Sequence, residues 1–214
     1  MERKDNYETW RRDWRARFLT LDREALLRKL PWLRQTRRGL LVRYFIWDVE
    51  IDGATGELTA PIDLQLYDEM NIFTLLWYCK EGAVRAGEFV PFDRLTHAAP
   101  YGPAFRRGNL ETLAASFAGR PEALERALLA LGGRKLPSGD VGYEIDVFPD
   151  FPMRVLFWDA DDEFQAQANL LFDKNATDFI HVESVVTIAS QAEVWLERLA
   201  AGRSEQEQRW KTES

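Results

Sequence analysis

Four carboxylates fall within five residues at Asp159, Asp161, Asp162 and Glu163, the densest concentration of carboxylates in the chain. Apolar runs flank them at 153–158 and 168–172. Such a cluster can ligate a hard cation through oxygen, split into an acid and a base where crowding separates the pKa values, or stay ionised and idle in a solvated turn. The calcium-loop frame fails. Counted from Asp159, Phe164 occupies the position that needs glycine and Leu170 the position that needs a bidentate glutamate. Counted from Asp173, those positions hold Asp178 and Ser184. If the flanking runs pair as antiparallel strands, Asp173 lies about five residues, roughly 17 Å, from Asp159 and leaves the cluster. The expectation is a solvated turn with Trp158 buried beneath it. The functional alternative is a ligand site on Asp159, Asp161, Asp162 and Glu163.

Other reactive groups are sparse. Arg106 and Arg107, beside Tyr101 and Phe105 in a Pro/Gly-rich loop at 95–108, could receive a phosphate or carboxylate. Cys79 is the only cysteine, which excludes an intramolecular disulfide and an all-cysteine metal or iron–sulfur site within one chain. It falls in the apolar part of a helical pattern, where a thiol is expected to be buried and inert. Of the two histidines, His97 lies in the loop, and His181 stands beside Asp178 and Glu183. His181-x-Glu183 matches half of a zinc-deaminase signature, but the P-C-x-x-C half is missing, so His181 is expected to serve helix entry. Phosphate-binding glycine loops and the G-x-S-x-G elbow are absent. No metal and no cofactor is expected.

Charge is unevenly spread along the 214 residues. Residues 1–43 hold 13 Lys/Arg against 6 Asp/Glu, a balance of +7, and the rest hold 15 against 29, a balance of −14. Nucleic-acid binding rests on clustered cations and is therefore not expected of the body of the chain. No apolar run approaches the roughly 20 residues of a membrane span. The opening residues lack the apolar core of a secretory signal, so a cytoplasmic protein is expected.

These groups must be held by mixed elements. Tyr7, Trp10, Trp14, Phe18 and Leu21 recur at helical spacing, with Arg11, Arg12 and Arg15 off that stripe. The simplest expectation is that the aromatics cover the core, and the alternative is that they dock an anionic partner or membrane surface. Asp22 caps a second short helix. Residues 39–51 read as one long strand, followed by a turn at 52–56 and a short return near Leu58. Residues 63–80 form the strongest helix. "GEFVPF" (87–92) suits an edge strand because of Pro91. Asn109 and Pro121 open two further helices, strands follow at 141–147, 153–158 and 168–172, and a last helix spans 183–199. This pattern predicts an α+β fold with a mostly antiparallel central sheet packed with helices. The organisation expected is a basic aromatic helical segment at 1–38, one α+β domain at 39–199 and a polar tail at 200–214.

"GEFVPF", Tyr101 with Phe105-Arg106-Arg107, "ALGG" (130–133), "LFWDADDEF" (156–164), "ANLLFD" (168–173) and the helix after Glu183 together resemble an uncharacterised prokaryotic family built on a domain of unknown function. The resemblance spans about residues 39–199. It implies a protein found alone or fused to iron–sulfur domains of the corrinoid-protein type, and it carries no catalytic residue. This chain lacks a cysteine cluster, so a role with an iron–sulfur or corrinoid protein would be played in trans. The function expected is a non-catalytic binding or accessory module. The alternative is a small-molecule enzyme using the carboxylates of 159–163 with Arg106 or Arg107.

Overall fold

A computed structural model describes residues 2–202. Helix α1 (Glu2–Leu19) gives way within one turn to α2 (Arg23–Lys29), because the Asp22 carboxylate accepts from the backbone N–H groups of Glu24 and Ala25 and caps the second helix. Four antiparallel strands then pair in chain order: β1 (Arg34–Gln35), β2 (Gly39–Tyr44), β3 (Trp47–Asp52) and β4 (Leu58–Thr59). The single strand expected over 39–51 is therefore a hairpin. Its tip is Phe45-Ile46, which carries none of the Gly, Asn or Asp of ordinary hairpin turns. Phe45 takes the left-handed conformation, with φ 48, and is nevertheless buried. Burial of its ring, 4.7 Å from Tyr44 and edge-on to Trp47, offsets the backbone strain.

Helix α3 (Leu66–Tyr78) follows, with the Gln65 N–H donating to Asp68 at 2.7 Å. The second sheet begins with β5 (Phe89–Pro91), an edge strand as Pro91 requires. The expected 95–108 loop ends early. From Gly102 the chain is helical through α4 (Gly102–Phe105), a π-helical turn (Arg106–Glu111) and α5 (Thr112–Phe117). Asn109 is thus no helix cap. It is buried inside the π turn, and its amide donates to Ser190 Oγ at 2.8 Å. Helix α6 (Pro121–Ala130) leads to β6 (Arg134–Lys135), β7 (Val141–Phe148), β8 (Phe151–Trp158) and β9 (Gln167–Asp173). The sheet order is β5-β9-β8-β7-β6, antiparallel throughout. A short α7 (Ala176–Phe179) precedes α8 (Val182–Ala200). The tail expected to be polar lies, from residue 203 on, outside the described residues.

The fold is α+β and antiparallel, with two sheets in place of one. The Phe45 N–H donates to the Val147 carbonyl at 2.8 Å and ties the first hairpin to β7. A buried carboxylate fastens the same joint. Asp68 accepts from the Tyr44 hydroxyl (3.0 Å), the Trp195 indole N–H (2.9 Å) and the Gln191 amide (3.1 Å), so β2, α3 and α8 meet on one group. Burial raises its pKa, and the hydrogen bonds from Trp195, the Gln65 N–H and Tyr44 oppose the rise. The inner face of the second sheet, with Tyr143, Ile145, Met153, Val155, Phe157, Leu170 and Phe172 buried, is covered by helices.

Cys79 ends α3 and is buried, as expected. Burial pushes its thiol up to about 11. At pH 8 the thiolate fraction then falls on the order of a hundredfold below that of a free cysteine. Labelling by an aromatic disulfide reagent should be slow in the native protein and fast in urea, and rapid native labelling would contradict this placement. No described helix is long and apolar enough to cross a membrane.

Candidate functional site

Side chains alternate along β8. Phe151, Met153, Val155 and Phe157 take the covered face, so parity sends Arg154, Leu156 and Trp158 to the other. The expectation that Trp158 is buried beneath the acidic turn is therefore wrong: the residue is 40% exposed. The second sheet has helices over its inner face, and its outer face is half-exposed. On that face Arg154 lies over the Phe89 ring at 3.7 Å and pairs with Glu144, which also pairs with Arg134. Trp158→Ala should then change stability by less than about 1 kcal/mol, not by the cost of a core aromatic. Urea unfolding measures this directly.

Trp158 is instead the wall of an open pocket of about 400 Å³. Asp140, Asp159, Asp161, Phe164, Gln165 and Gln167 complete it. The register explains the assembly. Val141 pairs with Phe157 and Trp158 with Gln167, so Asp140 and Gln167 are delivered to either side of the indole. Phe164, at the tip of the turn, is 61% exposed.

The carboxylates are fixed by backbone donors. Asp159 Oδ1 accepts from the Gly119 and Ala160 N–H groups, each at 2.8 Å, which anchors the turn to the end of α5. Asp140 Oδ2 accepts from the Asp159 N–H at 2.8 Å. Asp161 Oδ1 accepts from the N–H groups of Glu163 (2.9 Å) and Phe164 (2.7 Å), which folds the tip and holds the Asp161 carboxyl below its usual range. One oxygen of each is thus used structurally. These are carboxylates held in place by backbone donors, and the lowered Asp161 suits the binding of positive charge and not proton donation.

Two of the four expected carboxylates, Asp159 and Asp161, line the pocket. Asp162 and Glu163 are exposed on the turn and do not. Arg106 and Arg107 are exposed on the π turn and also lie outside the lining. From Arg107 to Phe117 is ten residues of helix, about 15 Å, and the acidic turn meets the chain just beyond that end. Asp173 is separate, as expected: it is buried and accepts from Ala86, Gly87 and Asn175 N–H groups. His181 caps α8, its Nδ1 accepting from the Glu183 N–H at 3.3 Å. Among the described residues no group of three or more His, Cys, Asp or Glu is placed to hold a metal ion. The members missed in the sequence were Asp140, Phe164, Gln165 and Gln167. Pairing 141–147 with 153–158 would have found Asp140, because it opposes Trp158 at the open end of the hairpin.

A second carboxyl has an unusual setting. Glu193 on α8 is buried beside Asn109, Leu113 and Met153, where the enclosed space is too small for a water molecule. Burial and the nearby Glu197 push it up to about 7, against one long hydrogen bond from Ser116 at 3.5 Å. Its folded pKa lies above its unfolded one, so folding keeps a proton that the unfolded chain releases. Stability is undiminished below pH 4.5, falls as pH rises toward 7 and stays reduced above. Glu193→Gln should therefore stabilise by about 1–3 kcal/mol at pH 8 and leave stability unchanged at pH 4. Melting curves at the two pH values would show it, and an equal effect at both would refute it.

The described residues form an antiparallel two-sheet α+β domain with an open acidic pocket beside Trp158. The profile of the DUF3786 family, a domain of unknown function, matches residues 22–192, and the chain belongs to that family. No curated protein and no solved structure matches it.

Proposed function

We propose that the protein is a cytoplasmic, non-catalytic binding module whose pocket at 140/158–167 takes an organic cation. The exposed rings of Trp158 and Phe164 on the walls of a carboxylate-lined pocket carry this reading. Aromatic faces attract cations electrostatically, best at tryptophan. Asp140, Asp159 and Asp161 add negative potential, and the −14 balance of residues 44–214 steers positive ligands toward it. An alkylammonium or guanidinium group supplies both the charge and the apolar surface that such walls recognise. It could belong to a free small molecule or to a Lys or Arg side chain of a partner. An iron–sulfur or corrinoid protein acting in trans, as the family resemblance implies, is one such partner. The enzyme alternative is weaker, since Arg106 and Arg107 do not reach this pocket and Asp161 is held ionised.

Titration of labelled protein with choline, arginine amide, magnesium and phosphate, followed by amide and indole NMR shifts, tests the proposal. Choline and arginine amide should move the Trp158 indole N–H and the amides of Gly119 and Phe164. Phosphate should leave them in place. Response to phosphate, or to neither organic cation, would sink the proposal.

A further inference from the structure

Strand β9 outruns its neighbour on one side. It spans Gln167–Asp173, and β8 pairs with it from Gln167 to Phe172. On the other side β5 pairs only with residues 171–173, and after Pro91 the chain leaves the sheet in a helical turn at Phe92–Arg94. Two bonds fix which way the overhang aims its backbone. The Lys174 N–H donates to the Glu88 carbonyl at 2.8 Å, so residue 174 faces the β5 side. By the alternation of an antiparallel ladder, Phe172, Leu170 and Ala168 face that side too. Phe157, the β8 partner of Ala168, turns the opposite way, its carbonyl accepting from the Asp140 N–H at 2.9 Å beside β7. The N–H and C=O of Ala168 therefore point past the end of β5, and no hydrogen bond is made to them among the described residues. Ala168 itself is only half-buried.

This open edge ends at the pocket. Gln167 pairs with Trp158, and both line it. A strand laid on the edge, antiparallel like every pair in the fold, lies about 4.8 Å from β9 and sets the residue facing Gln167 at the pocket mouth. The pocket decides what that residue carries. Asp140, Asp159 and Asp161 accept from backbone N–H groups, and no ion pair reaches them among the described residues. The cations of the neighbourhood are placed elsewhere. Arg120 lies over the Phe117 ring and donates to the Ser116 carbonyl, and Lys174 pairs with Glu88 at the far end of β9. We infer, resting on the cation reading above, that the β9 edge takes an extended segment of a partner protein whose Lys or Arg, opposite Gln167, enters the pocket. Backbone bonds to Ala168 hold the segment and the pocket reads its charge, the division of labour in strand addition. Partner residues facing Ala168 and Leu170 fall on the covered face and are apolar, since the side chains of a strand alternate. A free small cation leaves this edge unused.

The peptide acetyl-Val-Thr-Val-Lys-Val-amide tests this on the full-length protein. With its first residue facing Leu170, its lysine faces Gln167. It should bind at least about tenfold more tightly than n-butylammonium, which has the same charge and no backbone. Methylating the backbone nitrogen of its third residue removes the donor to the Ala168 carbonyl and should abolish that advantage. Replacing its lysine by norleucine should do the same. The Ala168 amide resonance should shift with the peptide and stay in place with n-butylammonium. Ala168→Pro removes the outward N–H and keeps the bonds between β8 and β9, so it should narrow the gap between the two ligands. Should that variant unfold, the methylated peptide on the unaltered protein carries the test. Equal affinity of peptide and n-butylammonium, or no loss on methylation, would overturn the inference and leave the cation site standing. If neither ligand binds, the cation reading fails and the inference with it.

Discussion

Asp68→Ala is expected to destabilise the protein by about 3–5 kcal/mol, the cost of breaking a buried charged network from one side. The carboxylate is fully buried and accepts from Tyr44, Gln65, Gln191 and Trp195. Removing it leaves four donors without this acceptor, three of them on buried side chains, and each orphaned buried donor costs about 1–3 kcal/mol before relaxation. Relaxation keeps the total below that sum. The same change takes away a hydrogen bond at the start of α3. Tyr44→Phe removes one donor and should cost only about 1–2 kcal/mol. In the Asp68→Ala background it should cost less, since the only partner it then loses is the Asn71 amide, which donates to the hydroxyl at 3.3 Å. Urea denaturation of the four proteins in that cycle settles the point, and an Asp68→Ala cost under about 1 kcal/mol would contradict the network.

Phe45 offers the second large effect, and its sign pattern is diagnostic. Phe45→Ala should cost about 3–5 kcal/mol, as for any buried phenylalanine. At most sites glycine would cost more than alanine. Here φ is 48, a conformation in which a Cβ is strained by about 1–2 kcal/mol and glycine is not. Phe45→Gly should therefore be the milder of the two by about 1 kcal/mol. If glycine proves worse than alanine, the hairpin tip does not hold that conformation in solution.

The elements with strong local signals were readable. Asp22 announced its cap, Pro91 its edge strand, and the pattern over 183–199 the last helix. What failed to show was set by tertiary contact. Phe45-Ile46 turns a hairpin without turn residues because its ring is held by Tyr44 and Trp47. The π turn is stabilised by Asn109 reaching Ser190, 81 residues away, so no local pattern marks it. The covered or open side of Trp158 depended on parity along β8 and on which face the helices took. An apolar run alone carries neither. The acidic residues therefore mark a candidate site in the sequence, while nothing local shows that Trp158 is its wall or that Asp140 joins it.

The most direct measurement is calorimetric titration of the intact protein with choline and with its neutral isostere, 3,3-dimethylbutan-1-ol. The two share shape and apolar area and differ in charge. If Trp158, Phe164 and the three aspartates recognise an organic cation, choline should bind at least about tenfold more tightly than the alcohol, and Trp158→Ala should remove most of that difference. Equal affinities, or no choline binding at all, would contradict the account.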